Sequence, residues 1–321
     1  MINKGRSFLT LLGIIIGIAA VITITALAEG LRAQVRKQID ELGTNLVFVF
    51  PQMSAKQART TEGRAGYVTP RLFSEREIRA IEAALRVPTL LSATIQREAT
   101  VSRGRESVFV TVEGADENLL EIYNIDIAQG RYFTPGELSG ARRVAILGWQ
   151  TAKDLFGNQN PIGETVQINR STFEVVGVFK ERGGGLGENP DKFVYVPLKV
   201  AQHHLFGFGD KVLFLTIQTE NIEDIELVKE DIKRALNRVR QITDPDDEDY
   251  GVLSQTDALK QFGQFVNVLT VVLGGVAAVS LLVGGIGIMN IMLVSVTTNA
   301  GDRLKKSCRR KTSGHIVPIS C

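Results

Sequence analysis

Cysteine is almost missing from this chain: there are two in 321 residues, Cys308 and Cys321, both close to the C-terminus. The long interior therefore has no disulfide framework and no thiolate zinc site, and its fold must be held by an apolar core. Histidine is nearly as scarce, at three. Charge of one sign is missing too, with 37 basic residues against 35 acidic ones, so no basic face for nucleic acid is indicated. No Gly-Lys-Ser/Thr phosphate loop occurs anywhere, which excludes ATP hydrolysis by a P-loop of this chain's own.

Charge is also absent from two long stretches. Phe8–Ala28 carries none and is about the ~20 residues needed to cross ~30 Å of hydrocarbon. A cleaved signal sequence is the competing reading, but its apolar region is usually only ~7–15 residues. The second charge-free stretch runs from Gln261 to Gly301, with its apolar heart at Phe265–Val296. The plan is helix, large polar domain, helix. Arg303, Lys305, Lys306, Arg309, Arg310 and Lys311 follow the second stretch against one acid, Asp302. Positive flanks stay in the cytoplasm, so both termini are expected inside and the domain outside. Without these flanks and Lys4 and Arg6, the interior has 29 basic and 34 acidic residues, a net charge of about −5.

The helical pattern continues outward from the first span through Leu31, Val35, Ile39 and Leu42, and Gly43 is placed to end it. Before the second span, Thr256 is the expected N-cap, with Leu259, Phe262 and Val266 along one side. These are read as stalks. Between them, Asn45–Phe50 predicts a strand stopped by Pro51, and Gln52–Tyr67 a loop. Ser74 and Glu77 form a capping box, with Phe73 and Ile78 as a staple, opening a helix that Pro88 ends. Strands are predicted at Thr94–Val101, Val108–Glu113, Arg143–Leu147, Thr165–Ile168, Phe173–Phe179, Phe193–Val196 and Val212–Gln218. Short helices are expected at Asn118–Tyr123, Trp149–Phe156 and Leu198–His204, and a long amphipathic one at Ile222–Val239. Interleaved strands and helices give an α+β domain, with one lobe inserted into the other at about 113–213. The segments are then 1–7 cytoplasmic, 8–28 membrane, 29–262 exported domain with stalks, 265–296 membrane and 297–321 cytoplasmic.

Candidate chemistry is sparse. His203-His204 are two ligands without a third and make a poor zinc site. The run Asp244–Asp249 starts like a calcium loop, but Asp249 and Gln255 stand where an EF-hand wants Gly and Glu, so a solvated turn is expected. Gly183-Gly184-Gly185-Leu186-Gly187 follows a strand without the Gly-Lys-Ser/Thr of a phosphate loop, and reads as a hairpin tip. The sequon Asn169-Arg170-Ser171 is short enough to arise by chance. No catalytic, cofactor-binding or metal-binding residues are assigned, and the chain reads as a non-enzyme. The membrane stretches say more. Gly13 and Gly17, Gly274 and Ala278, and Ser280 and Gly284 are pairs of small residues four apart. Such spacing lets helix backbones approach closely in lipid, so these six are the candidate packing positions, within the chain or against a second copy.

Two segments carry a family resemblance. RSFLTLLGIIIGIAAVI at Arg6–Ile22 resembles the first span of MacB-type permeases, and VGGIGIMNIMLVSVT at Val283–Thr297 is similar to the FtsX-like signature of their second span. The middle then looks like the MacB periplasmic core domain. The resemblance implies a dimeric inner-membrane permease of an ABC transporter, driven by a separate cytoplasmic ATPase. Stalks would carry motion outward to expel peptides, macrolide-like drugs or lipoproteins, often with an adaptor protein. A membrane-tethered sensor or binding module without transport is the competing class.

The sequence also departs from that family. The family has an amphipathic helix before the first span and two further spans after the second. Its second span continues into a Glu-Ile-Gly-containing segment that meets the ATPase, where this chain has TTNAGDRLKKSCRRKTSGHI. Reading the codons of Gly301–Leu304 from their second nucleotide can yield Glu-Ile-Gly, and Ser307–Ile316 can yield Ala-Val-Gly-Ala-Lys-Arg-Arg-Asp-Ile. A frameshift near Thr297–Thr298 is therefore expected, with the tail out of frame. Resequencing the gene from codon 290 past its stop tests this. The shifted frame should read on into two more hydrophobic spans; a clean frame without them would remove the frameshift account.

Overall fold

The computed structural model describes residues 4–41, 45–61, 70–140, 142–183 and 189–311; in parts of the terminal helices it describes the backbone alone. In chain order, α1 is Lys4–Glu41, β1 Leu46–Pro51, α2 Ala55–Thr61, β2 Phe73–Ser74 and α3 Glu75–Ala84. A long hairpin follows, β3 Thr89–Arg103 and β4 Glu106–Ala115. Then come α4 Leu119–Ile122, β5 Ile127–Gly130, α5 Pro135–Ser139, β6 Val144–Leu147 and α6 Trp149–Phe156. Next are β7 Thr165–Ile168, β8 Ser171–Phe179, β9 Val194–Pro197 and α7 Leu198–Val200, which runs into a π-turn. The chain ends with β10 Lys211–Val212, β11 Phe214–Thr219, α8 Ile225–Arg240, β12 Tyr250–Ser254 and α9 Gln255–Lys311.

Two compact units result, one of Met1–Ala33 with Phe262–Cys321, the other Gln34–Gln261. The described residues of the first are helical. Its apolar stretches long enough to cross a membrane, Gly17–Val35 and Gln255–Met289, extend into the stalk portions of α1 and α9. Only 6% and 11% of these windows is buried, so they are not core helices of a soluble protein. Ile15, Ile22, Val271, Leu282 and Val283 are more than half exposed, as expected of side chains facing hydrocarbon.

The second unit is built on one mixed sheet of ten strands among the described residues, in the order β12-β1-β11-β3-β4-β9-β6-β8-β5, with β7 against β3 and β8. β3 is the spine. Its first half pairs antiparallel with β11 and its second half with β4. Side chains two apart share a face of a strand, and Ala93 and Ile95 do so. Yet Ala93 belongs to a cluster with Val47, Val49, Leu215 and Ile217, whereas Ile95 joins Val112, Val194, Val196 and Phe173. Leu198 packs against both clusters. The core thus divides at residues 93–95 of β3, earlier than the Glu113 boundary expected from sequence, because one unbroken strand serves both lobes.

The first cluster is covered by α8, whose buried Ile225, Val228, Ile232 and Leu236 follow the helical repeat, and by Ile81 of α3. The second is covered by α6, through Leu155 and Phe156. A third cluster, with Leu119, Phe133, Ile146 and Tyr195, fills the opposite face under α4 and α5.

Several elements differ from expectation. Within Gln52–Tyr67, read as a loop, Ala55–Thr61 is helical; residues 62–67 lie outside the described residues, as do Gly43 and Gly184–Gly187. β12 and α5 were not foreseen. α5 has its own signal, Thr134-Pro135-Gly136-Glu137, in which Thr134 N–H donates to Glu137 Oε2 at 2.9 Å.

Glu137 yields a pH prediction. Hydrogen bonds from Arg131 at 2.8 Å hold its carboxyl down to about 2, against a cost from burial. A lowered carboxylate pKa contributes stability that is complete above the unfolded value, near 4.5, and disappears as pH falls through about 2. Glu137→Gln keeps the capping geometry but removes the charge. Thermal midpoints of variant and wild type should differ most above pH 4.5 and converge toward pH 2; a constant gap would show that the ion pair contributes nothing.

Candidate functional site

The candidate site lies at the paired ends of β1 and β12, the strands that follow α1 and precede α9 in the chain. α1 leads to β1, and α9 leaves from β12. These two strands are antiparallel neighbours in register from Val47↔Ser254 to Pro51↔Tyr250. The start of β1 and the end of β12 are therefore one strand spacing apart, about 5 Å. Asn45, just before β1, has a left-handed backbone, φ 59°, which Asn tolerates better than most residues. Its amide nitrogen donates to the Glu220 carbonyl at 3.1 Å, and its carbonyl accepts from Thr219 N–H at 3.2 Å.

At the exit, the expected cap Thr256 is displaced by Ser254. Ser254 is fully buried as the last residue of β12. Its Oγ accepts from Asp257 N–H at 3.1 Å and donates to Asp257 Oδ2 at 2.6 Å. Thr256 is already inside the helix, with its hydroxyl 2.9 Å from Ser254 Oγ. The motif Ser254-Gln255-Thr256-Asp257 is a capping box with Asp in place of Glu, a signal present in the sequence but missed. Asp257 Oδ2 also accepts from Lys229 Nζ of α8 at 2.7 Å. The first turn of the exit stalk is thereby tied laterally to the helix that covers the sheet.

At the other end of α8 and of β12 from this cap lies Arg240, the last residue of α8, with no exposed side-chain area. Its Nε donates to Glu77 Oε1 at 2.6 Å and its Nη1 to Asp249. The guanidinium lies 4.9 Å from the Phe73 ring centroid and 5.6 Å from that of Tyr250, within cation–π range of both. Burial pushes the Glu77 carboxyl up, but hydrogen bonds from Ser74 and Arg240 outweigh it and hold the pKa below the ordinary value. α3, α8 and β12 meet on this one cation.

The acidic run Asp244–Asp249 has a role that the sequence did not disclose. Pro245–Asp247 forms a 3₁₀ turn. Asp244 and Asp247 pair with Lys56 at 3.1 and 2.7 Å, and Asp246 with Arg59 at 3.1 Å. The expected solvated turn is the partner of α2. His203 Nε2 lies 3.0 Å from Asp210 Oδ1 on an exposed helix end. Among the described residues no three His, Cys, Asp or Glu side chains converge as metal ligands do.

The six small residues of the membrane helices are not all alike. Gly17 is buried, and a Cβ added there would meet Leu281 Cγ at 3.0 Å; Gly284 is buried as well. Gly274, Ala278 and Ser280 are exposed, and Ser280 Oγ donates to the Val276 carbonyl at 3.0 Å. Gly13 is helical, with its surroundings outside the described set.

A family model described as the MacB-like periplasmic core domain matches residues 7–235. Among curated proteins, the pyoverdine export ATP-binding/permease protein PvdT of Pseudomonas syringae pv. tomato is 31% identical over 315 residues, covering 97% of this chain and 46% of its own length. The macrolide export ATP-binding/permease protein MacB of Azoarcus sp. is 33% identical over 315 residues, covering 96% and 45%. The chain spans about half the length of the curated relatives it matches. Among solved structures, the extracellular domain of the noncanonic ABC-type transporter YknZ from Gram-positive bacteria aligns with a TM-score of 0.53 at 23% identity, covering 65% of this chain and all of that one. The periplasmic region of MacB from Actinobacillus actinomycetemcomitans aligns with a TM-score of 0.53 at 17% identity, covering 71% and 96%. These two share the fold.

The buried cation makes a clear test of the junction. Arg240→Ala leaves the buried Glu77 without its buried guanidinium partner, and breaking a buried pair in this way costs about 3–5 kcal/mol. Urea denaturation should show that loss, whereas Arg86→Ala, which removes a half-exposed partner of Asp231, should cost less. Equal losses would mean that Arg240 has no special place.

Proposed function

Because this chain belongs to the MacB-like periplasmic core domain family, we propose that it acts as the permease part of an ABC-type exporter. In this reading the segments 8–28 and 265–296 span the inner membrane. Both termini, with the basic segment 297–321, are cytoplasmic, and the domain 29–262 lies on the outer side. A separate cytoplasmic ATPase supplies the energy. The observation that supports the reading is the junction itself, where neighbouring strands β1 and β12 receive the two stalks. A displacement of one stalk relative to the other becomes shear between paired strands, and Lys229–Asp257 passes part of it to α8. Paired strands and a capped helix are stiff, so little of such a motion is lost on the way.

The exported molecules in this reading are peptides, macrolide-like drugs or lipoproteins; the relatives are named for pyoverdine and macrolide export. The exposed Gly274 and Ala278, four residues apart on one face of α9, supply small residues for a second copy in lipid, which is the homodimer of this reading. An adaptor protein outside the membrane completes the assembly.

The test is transport in proteoliposomes containing this chain, a polypeptide supplying the remaining permease spans, and a partner ATPase. Wild type should give ATP-dependent efflux of a peptide or macrolide. Asp257→Asn should reduce efflux more than ATP hydrolysis, because it loosens the stalk and not the motor. If the ATPase neither binds nor drives efflux, the exporter reading falls and a membrane-tethered sensor or binding module takes its place.

A further inference from the structure

The sheet has a face that α3 and α8 do not cover. On β1 and β11, Val47, Val49 and Ile217 point into the first cluster, while Phe48 and Thr216 alternate to the other side. There the third-cluster elements arch over the sheet and leave a cavity of about 310 Å³. Its apolar wall consists of Phe48, Phe193 and Phe214 with the rings of Tyr123 and Tyr195. Its polar groups include one carboxylate, Glu113, and one guanidinium, Arg182.

Both charged residues are set in place by the fold. Glu113 stands in register between Gln96 of β3 and Tyr195 of β9, so three strands present these side chains on one face. The backbone N–H groups of Arg182 and Gly183 donate to the buried Asp191 carboxylate at 3.0 and 2.8 Å. The Asp191 carbonyl in turn lies so near Gly148 that a Cβ there would come within 2.5 Å. Arg182 also donates to the Tyr123 carbonyl at 3.4 Å, and the Tyr123 hydroxyl meets Thr216 Oγ1 at 2.8 Å to close one wall. The two charges act on the same rings. Burial pushes the Tyr123 hydroxyl up to about 12, with Glu113 adding to the rise and Arg182 opposing it, and Tyr195 moves in the same direction for the same causes.

A cavity of this size, with an aromatic lining and a few convergent polar groups, is the usual form of a small-molecule site. A single carboxylate and a single guanidinium favour an occupant that is neutral overall and carries both charges. We propose that the cavity binds a small aromatic zwitterion, an aromatic amino acid or the corresponding part of a short peptide. The ring lies against Phe48, Phe193 and Phe214, the ammonium toward Glu113 and the carboxylate toward Arg182. Binding here needs no ATPase, so the proposal stands or falls separately from the exporter reading.

The experiment is ligand-observed NMR on the full chain in detergent, with three probes that share a phenylethyl skeleton: L-phenylalanine, phenethylamine and 3-phenylpropanoate. L-phenylalanine should bind saturably, and each singly charged analogue about tenfold more weakly, the usual effect of losing a charged hydrogen bond. Glu113→Gln should weaken L-phenylalanine but not 3-phenylpropanoate, and Arg182→Gln should weaken L-phenylalanine but not phenethylamine. If a variant fails to fold, the ranking of the three probes on wild type decides alone. No saturable binding of L-phenylalanine, equal binding of all three probes, or variants that weaken every probe alike would each overturn the proposal.

Discussion

The unit Gln34–Gln261 depends most on a charge taken out of water. Arg240 is held by the carboxylates of Glu77 and Asp249, between the rings of Phe73 and Tyr250. One of its nitrogens, Nη2, has no partner among the described residues. Buried ion pairs seldom add much net stability over an apolar core, because desolvation offsets their attraction. What they impose is arrangement, since any packing that separates Arg240 from its acids leaves an uncompensated charge. The elements thus fixed are α3, which covers the sheet, α8, which ties the exit stalk through Lys229, and β12, from which that stalk leaves. The helix and strand that hold the exit stalk at one end are thus fixed together at their other end.

Much of this was legible from residue patterns. The Ser74–Glu77 box, the apolar repeat of α8, the uncharged stretches and the limits of β7 and α6 all follow from local rules, and the structure has them. What escaped was made by partners distant in sequence. Thr89–Ala93 follows a proline and has little strand character of its own, yet it is strand because β11 pairs with it. Tyr250–Ser254 follows an acidic run and contains Gly251, which argues against a strand. The glycine leaves room for the Phe50 ring, which lies over it, 2.5 Å from where a Cβ would stand. α2 has no apolar face of its own, and its Lys56 and Arg59 find acids nearly two hundred residues away.

The candidate sites divide in the same way. The capping residues Ser254 and Asp257 could have been found by scanning for boxes with Asp in place of Glu. The cavity could not. Its residues come from seven separate stretches of chain, and none is unusual until the strand register sets Gln96, Glu113 and Tyr195 side by side. The small residues of the membrane helices form an intermediate case, since spacing identifies the stripe but not the partner that each one meets.

The adjacency of β1 and β12 also bears on how such a molecule could arise. A domain whose first and last strands are hydrogen-bonded neighbours begins and ends at nearly one point. It can be lifted from its host chain or grafted into the turn of another helical hairpin with little stretching of the recipient backbone. Outer domains on this frame can then be exchanged, enlarged or lost while the rest of the host protein keeps its sequence, so their histories need not run in step.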